Sequence, residues 1–253
     1  MTSCTDSELA RALADEAGRA LLEIRSRDLT GRDLKDAGDR GSHDLLVSRL
    51  GQERPADLVR SEEGADPAQR SAARRVWIVD PLDGTREFSE VGRWDWAVHV
   101  ALWADGDLVA GAVAMPAAGV TYGTDQPPVV PARPPGPIRL AVSRTRPPAF
   151  VESLAADLGA ELVPIGSAGV KCASVWRGEA DAYLHAGGQY EWDSAAPVVV
   201  ARACGLHTSR VDGTPLEYNR SDPSLPDLIV CRPELAAGIL SWTQQNAREV
   251  TTR

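Results

Sequence analysis

The sequence predicts an α/β protein: an α+β N-terminal part at residues 1–125, a proline-rich connection at 126–137, and an α/β C-terminal part at 138–253. Three observations carry that expectation. Two helical patterns precede a run of alternating strand patterns between residues 94 and 122. Residues 126–137 hold six prolines in twelve positions, the composition of a stiff linker. Beyond it, strand and helix patterns alternate at short spacing, as in an α/β unit.

The elements follow in order. Thr5-Asp6-Ser7-Glu8 fits a capping box, and Leu9, Leu13, Ala17, Ala20, Leu21 and Ile24 follow at helical spacing. Residues 27–41, rich in Gly and Asp, read as a polar loop. A second helix carries Leu45, Leu46 and Leu50 and ends near Pro55. Residues 57–64 read as a short strand opening into a loop. Residues 76–79, Val-Trp-Ile-Val, read as a buried strand stopped by Asp80-Pro81. Trp94, Trp96, Val98, Val100 and Leu102 alternate with smaller or polar residues; Asp105-Gly106 then offers a hairpin turn into 108–115, with a second return at 119–122. The first half therefore reads as helices on one side of a mainly antiparallel sheet. The second half reads as strand 138–142, helix 148–158, strand 161–165, helix 168–176, strand 182–186, helix 194–204, strand 228–231 and helix 233–244.

The chain has 253 residues, 36 acidic against 27 basic, and a formal net charge of −9. This composition is that of a globular protein large enough to fold without disulfides or structural zinc. The acidic balance argues against a nucleic-acid polymer as partner, whose phosphates call for Lys and Arg. It leaves room for a small phosphorylated substrate, which a metal can screen locally. Cys4, Cys172, Cys204 and Cys231 show no C-x-x-C spacing, which favours free thiols. No signal-peptide core or membrane-spanning stretch is evident, so the expectation is a cytoplasmic protein with no membrane partner.

The chemistry centres on Trp77-Ile-Val-Asp80-Pro81-Leu82-Asp83-Gly84-Thr85. A strand ending at Asp80 and turned by Pro81 lets two carboxylates three positions apart converge. The turn leaves the Leu82 carbonyl as a further oxygen ligand, and Gly84-Thr85 opens a helix whose free N–H groups suit an anion. Hard oxygen ligands imply Mg²⁺ rather than zinc. His43, His99, His185 and His207 make no ligand pair. Glu62-Glu63 supplies adjacent carboxylates, and Asp193 another at the start of a helix, after a Gly-rich loop.

Together, Glu62-Glu63, the 77–85 segment and Trp192-Asp193-Ser194-Ala195 resemble the signature set of the inositol monophosphatase-type family. The resemblance spans residues 6–244. It implies a layered α-β-α-β-α sandwich and a Mg²⁺-dependent, lithium-sensitive phosphomonoesterase. Glu191-Trp192-Asp193-Ser194-Ala195-Ala196, Gly166-Ser167-Ala168-Gly169-Val170-Lys171 and Val142-Ser143-Arg144-Thr145 resemble the branch of CysQ-type 3′-phosphoadenosine-5′-phosphate phosphatases, in its actinobacterial form. The implied activity is that of a 3′(2′),5′-bisphosphate nucleotidase; inositol monophosphates and fructose 1,6-bisphosphate are the alternative substrates.

Carried over residue by residue, the resemblance assigns Glu62, Asp80, the Leu82 carbonyl and Asp83 to one Mg²⁺, and Asp80, Asp83 and Asp193 to a second. Thr85 and Glu62 orient the attacking water, and Asp39 hydrogen-bonds Thr85. Leu82, Asp83, Gly84, Thr85, Ser167, Lys171 and Asp193 contact the substrate, with Lys171 and Arg144 as candidates for binding a second phosphate or lining the nucleotide cleft. A third, loop-held ion is left open, because residues 27–30 lack the family's Pro-Val-Thr run and Lys35 is displaced. The family includes monomers and homodimers.

Overall fold

Strand alternation decides how the layers stack. The computed structural model describes residues 4–67 and 69–251. In chain order its helices are α1 (Asp6–Arg25), α2 (Gly31–Glu53), α3 (Thr85–Ser89), α4 (Ala149–Leu158), α5 (Ala168–Trp176), α6 (Glu191–Ala203), α7 (Pro233–Gln245) and α8 (Ala247–Thr251). One sheet takes β1 (Leu58–Ser61), β2 (Arg75–Asp83), β3 (Ala97–Ala104), β4 (Asp107–Met115) and β5 (Val120–Gly123), neighbours in that order. Only the β1–β2 pair in it is parallel.

Trp77 and Val79 of β2 and Val98, Val100 and Leu102 of β3 bury one face of this sheet. They share a core with Leu9, Leu13 and Leu21 of α1 and Leu46 and Leu50 of α2. The alternate residues Val76, Ile78, Ala97 and Ala101 face the other way, into a core shared with Val170 and Trp176 of α5 and Ala195 and Val199 of α6.

The second sheet has the order β7-β6-β8-β10-β9, built from β6 (Arg139–Ser143), β7 (Glu161–Ile165), β8 (Ala182–Tyr190), β9 (His207–Ser209) and β10 (Ser224–Cys231). Its Ala141, Tyr183, Leu228 and Val230 join the α5–α6 core, while Leu140, Val142, Leu184 and Ile229 pack with Phe150, Ile239 and Trp242 of α4 and α7. The result is helix, sheet, helix, sheet, helix, the layering that the resemblance implies.

The Thr5 capping box is present: Glu8 N–H donates to Thr5 Oγ1 at 3.2 Å, and Thr5 N–H to Glu8 Oε2 at 2.9 Å. Such a cap is worth about 1 kcal/mol. The expected loop at 27–41 is instead mostly helix, because α2 starts at Gly31. Its buried stripe is Leu34, Gly38, Ser42, Leu46 and Leu50, an unbroken four-residue spacing in which Gly and Ser carry no hydropathy signal. Their smallness lets the helix approach the sheet.

β2 does not stop at Pro81 but runs on to Asp83, and β8 continues across Gly187-Gly188 to Tyr190, where a loop was expected. Both extensions contain a bulge that absorbs the irregular residues. α6 begins at Glu191, not Ser194, and β9 and α8 were too short to read from a pattern. The four cysteines are free thiols, and among the described residues no helix is long and apolar enough to cross a membrane.

Candidate active site

The bulge in β2 brings the first two carboxylates together. Asp80 pairs with His99 and Asp83 with Ala97, so three steps along β2 match two along β3. In regular pleating, residues three apart face opposite sides; the extra residue returns Asp83 to the side of Asp80. The turn is held from within and from α2. Leu82 N–H donates to Asp80 Oδ1 at 3.0 Å, and buried Ser42 of α2 donates to the Pro81 carbonyl at 2.7 Å. Gly84 sits at φ +88°, and a Cβ there would lie 3.1 Å from that of Ser167, so a side chain is unfavourable on both counts.

Asp80, Asp83 and Asp193 each present a carboxylate oxygen, all within 4.8 Å of one another. Asp193 lies in the first turn of α6, where its Oδ2 accepts from Tyr190 N–H at 2.6 Å. Asp83 is gripped by the start of α5. The Ala168 and Gly169 N–H groups donate to it at 3.0 and 2.6 Å, and the Ser167 hydroxyl also donates. His99 completes the grip, with Nε2 3.2 Å from Asp83 Oδ2 and Nδ1 3.1 Å from the Trp192 carbonyl. Gly169 is required here, since a Cβ would stand 2.0 Å from His99 Nε2.

The electrostatics divide the cluster. Burial, then the charges of Glu62, Asp83 and Asp193, push Asp80 well above the usual carboxylate range. Burial and the Asp83 charge raise Asp193 to about 6. Glu62, an exposed residue outside that group of three, rises to about 7 through desolvation of its carboxyl end and the Asp193 charge, moderated by a hydrogen bond with Asp80. Burial opposes the charged form of Asp83 too, but His99, Lys171 and Ser167 outweigh it and hold Asp83 at about 2. Crowded carboxylate oxygens that His99 and Lys171 neutralise only in part fit a hard divalent cation. His99 is committed to the Trp192 carbonyl through Nδ1 and forms an ion pair with Asp83 through Nε2.

Asp39, carried on α2, interacts with Thr85. Burial and the Glu63 charge raise it to about 7. Thr85 Oγ1 also lies 3.1 Å from the Leu82 carbonyl, to which it donates. A cleft of about 280 Å³ opens over the cluster. Asp83, Gly84, Thr85, Ser167, Lys171 and Asp193 line it; Leu82 lies beneath, 2% exposed. A larger cavity of about 510 Å³ lies elsewhere, beside Arg210, Glu217 and Arg220, and contains none of these residues.

Lys171 and Arg144 both line the cleft, each with partners already in place. Lys171 is buried, with Nζ donating to the Ser167 carbonyl at 2.6 Å and lying 5.3 Å from the Tyr183 ring centre. Arg144 is bound to Glu87 and Glu90 at 2.8 and 2.9 Å. Arg86 and Arg146 line the same cleft, and among the described residues neither guanidinium has a hydrogen-bond or ion-pair partner. His185 contacts the Gly187 carbonyl at 2.6 Å, and burial lowers its pKa to about 4, so it is neutral. Sequence reasoning missed His99 and Ser42. His99 had a legible signal, a polar residue on the face of β3 otherwise occupied by Ala97, Ala101 and Trp103; Ser42 had none.

Residues 5–247 match the inositol monophosphatase family. Over 257 aligned positions the chain is 51% identical to a 3′-phosphoadenosine 5′-phosphate phosphatase of Mycobacterium leprae, covering 93% of this chain and 92% of that one. It is 31% identical over 230 positions to the 3′(2′),5′-bisphosphate nucleotidase CysQ of Escherichia coli K12, covering 81% and 91%. The crystal structure of CysQ from Bacteroides thetaiotaomicron, a bacterial member of the inositol monophosphatase family, superposes with a TM-score of 0.78 at 27% identity, covering 91% and 98%. Layering, acidic cluster and sequence agree: this chain belongs to the inositol monophosphatase family.

Proposed function

We propose that this protein is a Mg²⁺-dependent phosphomonoesterase that converts 3′-phosphoadenosine 5′-phosphate to AMP and phosphate. The observation that carries the reading is the convergence of Asp80, Asp83 and Asp193 beside the cleft, in a chain matched over 93% of its length by a relative of that name. Glu62, Asp80, the Leu82 carbonyl and Asp83 would hold one Mg²⁺, and Asp80, Asp83 and Asp193 a second. When bound, Mg²⁺ supplies polarisation of the phosphate and a water of lowered pKa.

The remaining work falls to the chain. The attacking water forms the new P–O bond as the P–O3′ bond breaks, and the leaving oxygen takes a proton to become the 3′-hydroxyl. Thr85 and Glu62 orient the water. Asp39, near pKa 7, suits the role of accepting its proton once the Thr85 hydroxyl turns from the Leu82 carbonyl toward it. Backbone N–H groups of Gly84 and Thr85, at the opening of α3, donate to the phosphate oxygens.

The cleft suits a nucleotide bisphosphate better than a polyol. Outside the cluster, Glu87 is its one lining carboxylate among the described residues, and Arg144 occupies it. Arg86 and Arg146 are available to a second phosphate. Replacing Arg146 by Ala is expected to raise KM for the bisphosphate about tenfold, as loss of a charge-assisted hydrogen bond implies. The same change should leave KM for 3′-AMP, which lacks the second phosphate, within about twofold. Equal effects on both substrates would remove Arg146 from that role.

The reading itself is tested by kcat/KM for 3′-phosphoadenosine 5′-phosphate, inositol 1-phosphate and fructose 1,6-bisphosphate at saturating Mg²⁺. The nucleotide should lead by at least about tenfold. A tenfold lead for inositol 1-phosphate would overturn the assignment.

A further inference from the structure

Arg60 stands two residues before Glu62, and Glu191 two residues before Asp193. Both are buried, 3% and 1% exposed, and Arg60 Nη1 donates to Glu191 Oε2 at 3.0 Å. Arg60 lies on β1 opposite Ile78 of β2, while Glu191 opens α6. The pair thus ties the strand that leads into Glu62 to the helical turn that carries Asp193.

The surroundings complete the tie. Glu191 also accepts from Asn219 N–H at 3.0 Å and Arg220 N–H at 2.8 Å. Arg60 Nη1 reaches the Arg220 carbonyl at 3.1 Å, and the Arg60 guanidinium lies 5.9 Å from the Trp192 ring centre. Arg70, also 3% exposed, donates to the Asn219 side chain at 2.5 Å, to the Arg220 carbonyl at 2.7 Å and to Asp66 at 2.6 Å. Asp66 belongs to the loop that follows Glu62-Glu63, so both ends of that loop are anchored to the same fixture.

We propose that Arg60 and Glu191 are positioning residues that set Glu62 against Asp193 for cation binding. The inference rests on the reading of Glu62 and Asp193 as metal ligands. Two carboxylates facing one centre repel each other until a cation arrives, so β1 and α6 must be held together by something else. A buried ion pair is a poor source of net stability, because desolvation offsets its attraction, whereas an apolar pair of similar volume packs well. What the ion pair adds is direction: a planar guanidinium bonded to one carboxylate oxygen fixes both distance and orientation.

The test compares wild type with Arg60→Lys, Arg60→Met/Glu191→Gln and Asp193→Asn in the full-length protein. In the double variant the paired charges leave together, and the amide oxygen still accepts from one of the two N–H groups of Asn219 and Arg220. Mg²⁺ binding is measured by calorimetry without substrate, alongside Tm and the KM for nucleotide at saturating Mg²⁺. The double variant is expected to melt within a few degrees of wild type, to bind Mg²⁺ at least about tenfold more weakly and to keep its nucleotide KM within about twofold. Arg60→Lys should retain part of the Mg²⁺ affinity. Wild-type Mg²⁺ affinity in the double variant, with affinity lost in Asp193→Asn, would overturn the inference alone. Wild-type affinity in Asp193→Asn would instead overturn the ligand reading beneath it.

Discussion

Asp80→Asn and Asp83→Asn are both expected to lose at least about 10³-fold in kcat at saturating Mg²⁺, about 4 kcal/mol of transition-state stabilisation, while shifting stability in opposite directions. The shared loss follows from the proposal that both carboxylates serve both cation positions. The opposite shifts follow from their surroundings. Asp83 receives Ser167, two backbone N–H groups and His99 on its two oxygens. An amide turns an NH₂ toward some of these donors and leaves His99 without its charge partner, a cost of about 3 kcal/mol. For Asp80, burial and three neighbouring carboxylates disfavour the charged form.

Asparagine at position 80 removes that repulsion and still accepts from Leu82 N–H through its one oxygen. The metal-free Asp80→Asn protein should gain about 1 kcal/mol at pH 8, in the range of substitutions that relieve a functional site. Urea unfolding of the metal-free proteins and phosphate release at saturating Mg²⁺ measure the two quantities. Activity within tenfold of wild type in either variant would remove that carboxylate from the reaction.

Chelation should make the protein less stable as pH rises from about 4 to about 7. Glu62, Asp193 and Asp39 have folded-state values of about 7, 6 and 7, raised chiefly by burial and neighbouring acids. Their ordinary values are 4.5, 3.8 and 3.8. Between those limits the folded chain holds protons that the unfolded chain has released, so unfolding free energy falls with pH. Below about 4 both states are protonated and the penalty vanishes; above about 7 it is complete. Chelated protein should melt at least about 5 °C lower at pH 8 than at pH 5, with the exposed share of Glu62 limiting its part. Mg²⁺ binds the ionised cluster and should restore more stability at pH 8 than at pH 5. Equal melting of the chelated protein at both pH values would contradict the charge crowding.

Legibility in the sequence followed how locally each feature is encoded. The Thr5 capping box, the Asp105-Gly106 hairpin and the spans of β7 and α5 rest on neighbouring residues and were readable. Asp80 and Asp83 were readable as a pair, although the means of their convergence, a bulge rather than a strand end, depends on pairing with β3. α2 was half hidden because Gly38 and Ser42 bury without being apolar, and it carries Asp39. The grip of Ser167, Ala168 and Gly169 on Asp83 joins residues more than 80 positions apart, and no pattern along one chain reports such a contact. Lys171 was readable as a cleft residue, while its burial and its tie to the Ser167 carbonyl depend on the fold.

The most direct test of the proposed activity is product analysis of 3′-phosphoadenosine 5′-phosphate incubated with the metal-depleted protein, with and without added Mg²⁺. The predicted result is 5′-AMP and one equivalent of phosphate, formed only when Mg²⁺ is present. Release of 3′-AMP, or no phosphate at saturating Mg²⁺, would contradict it.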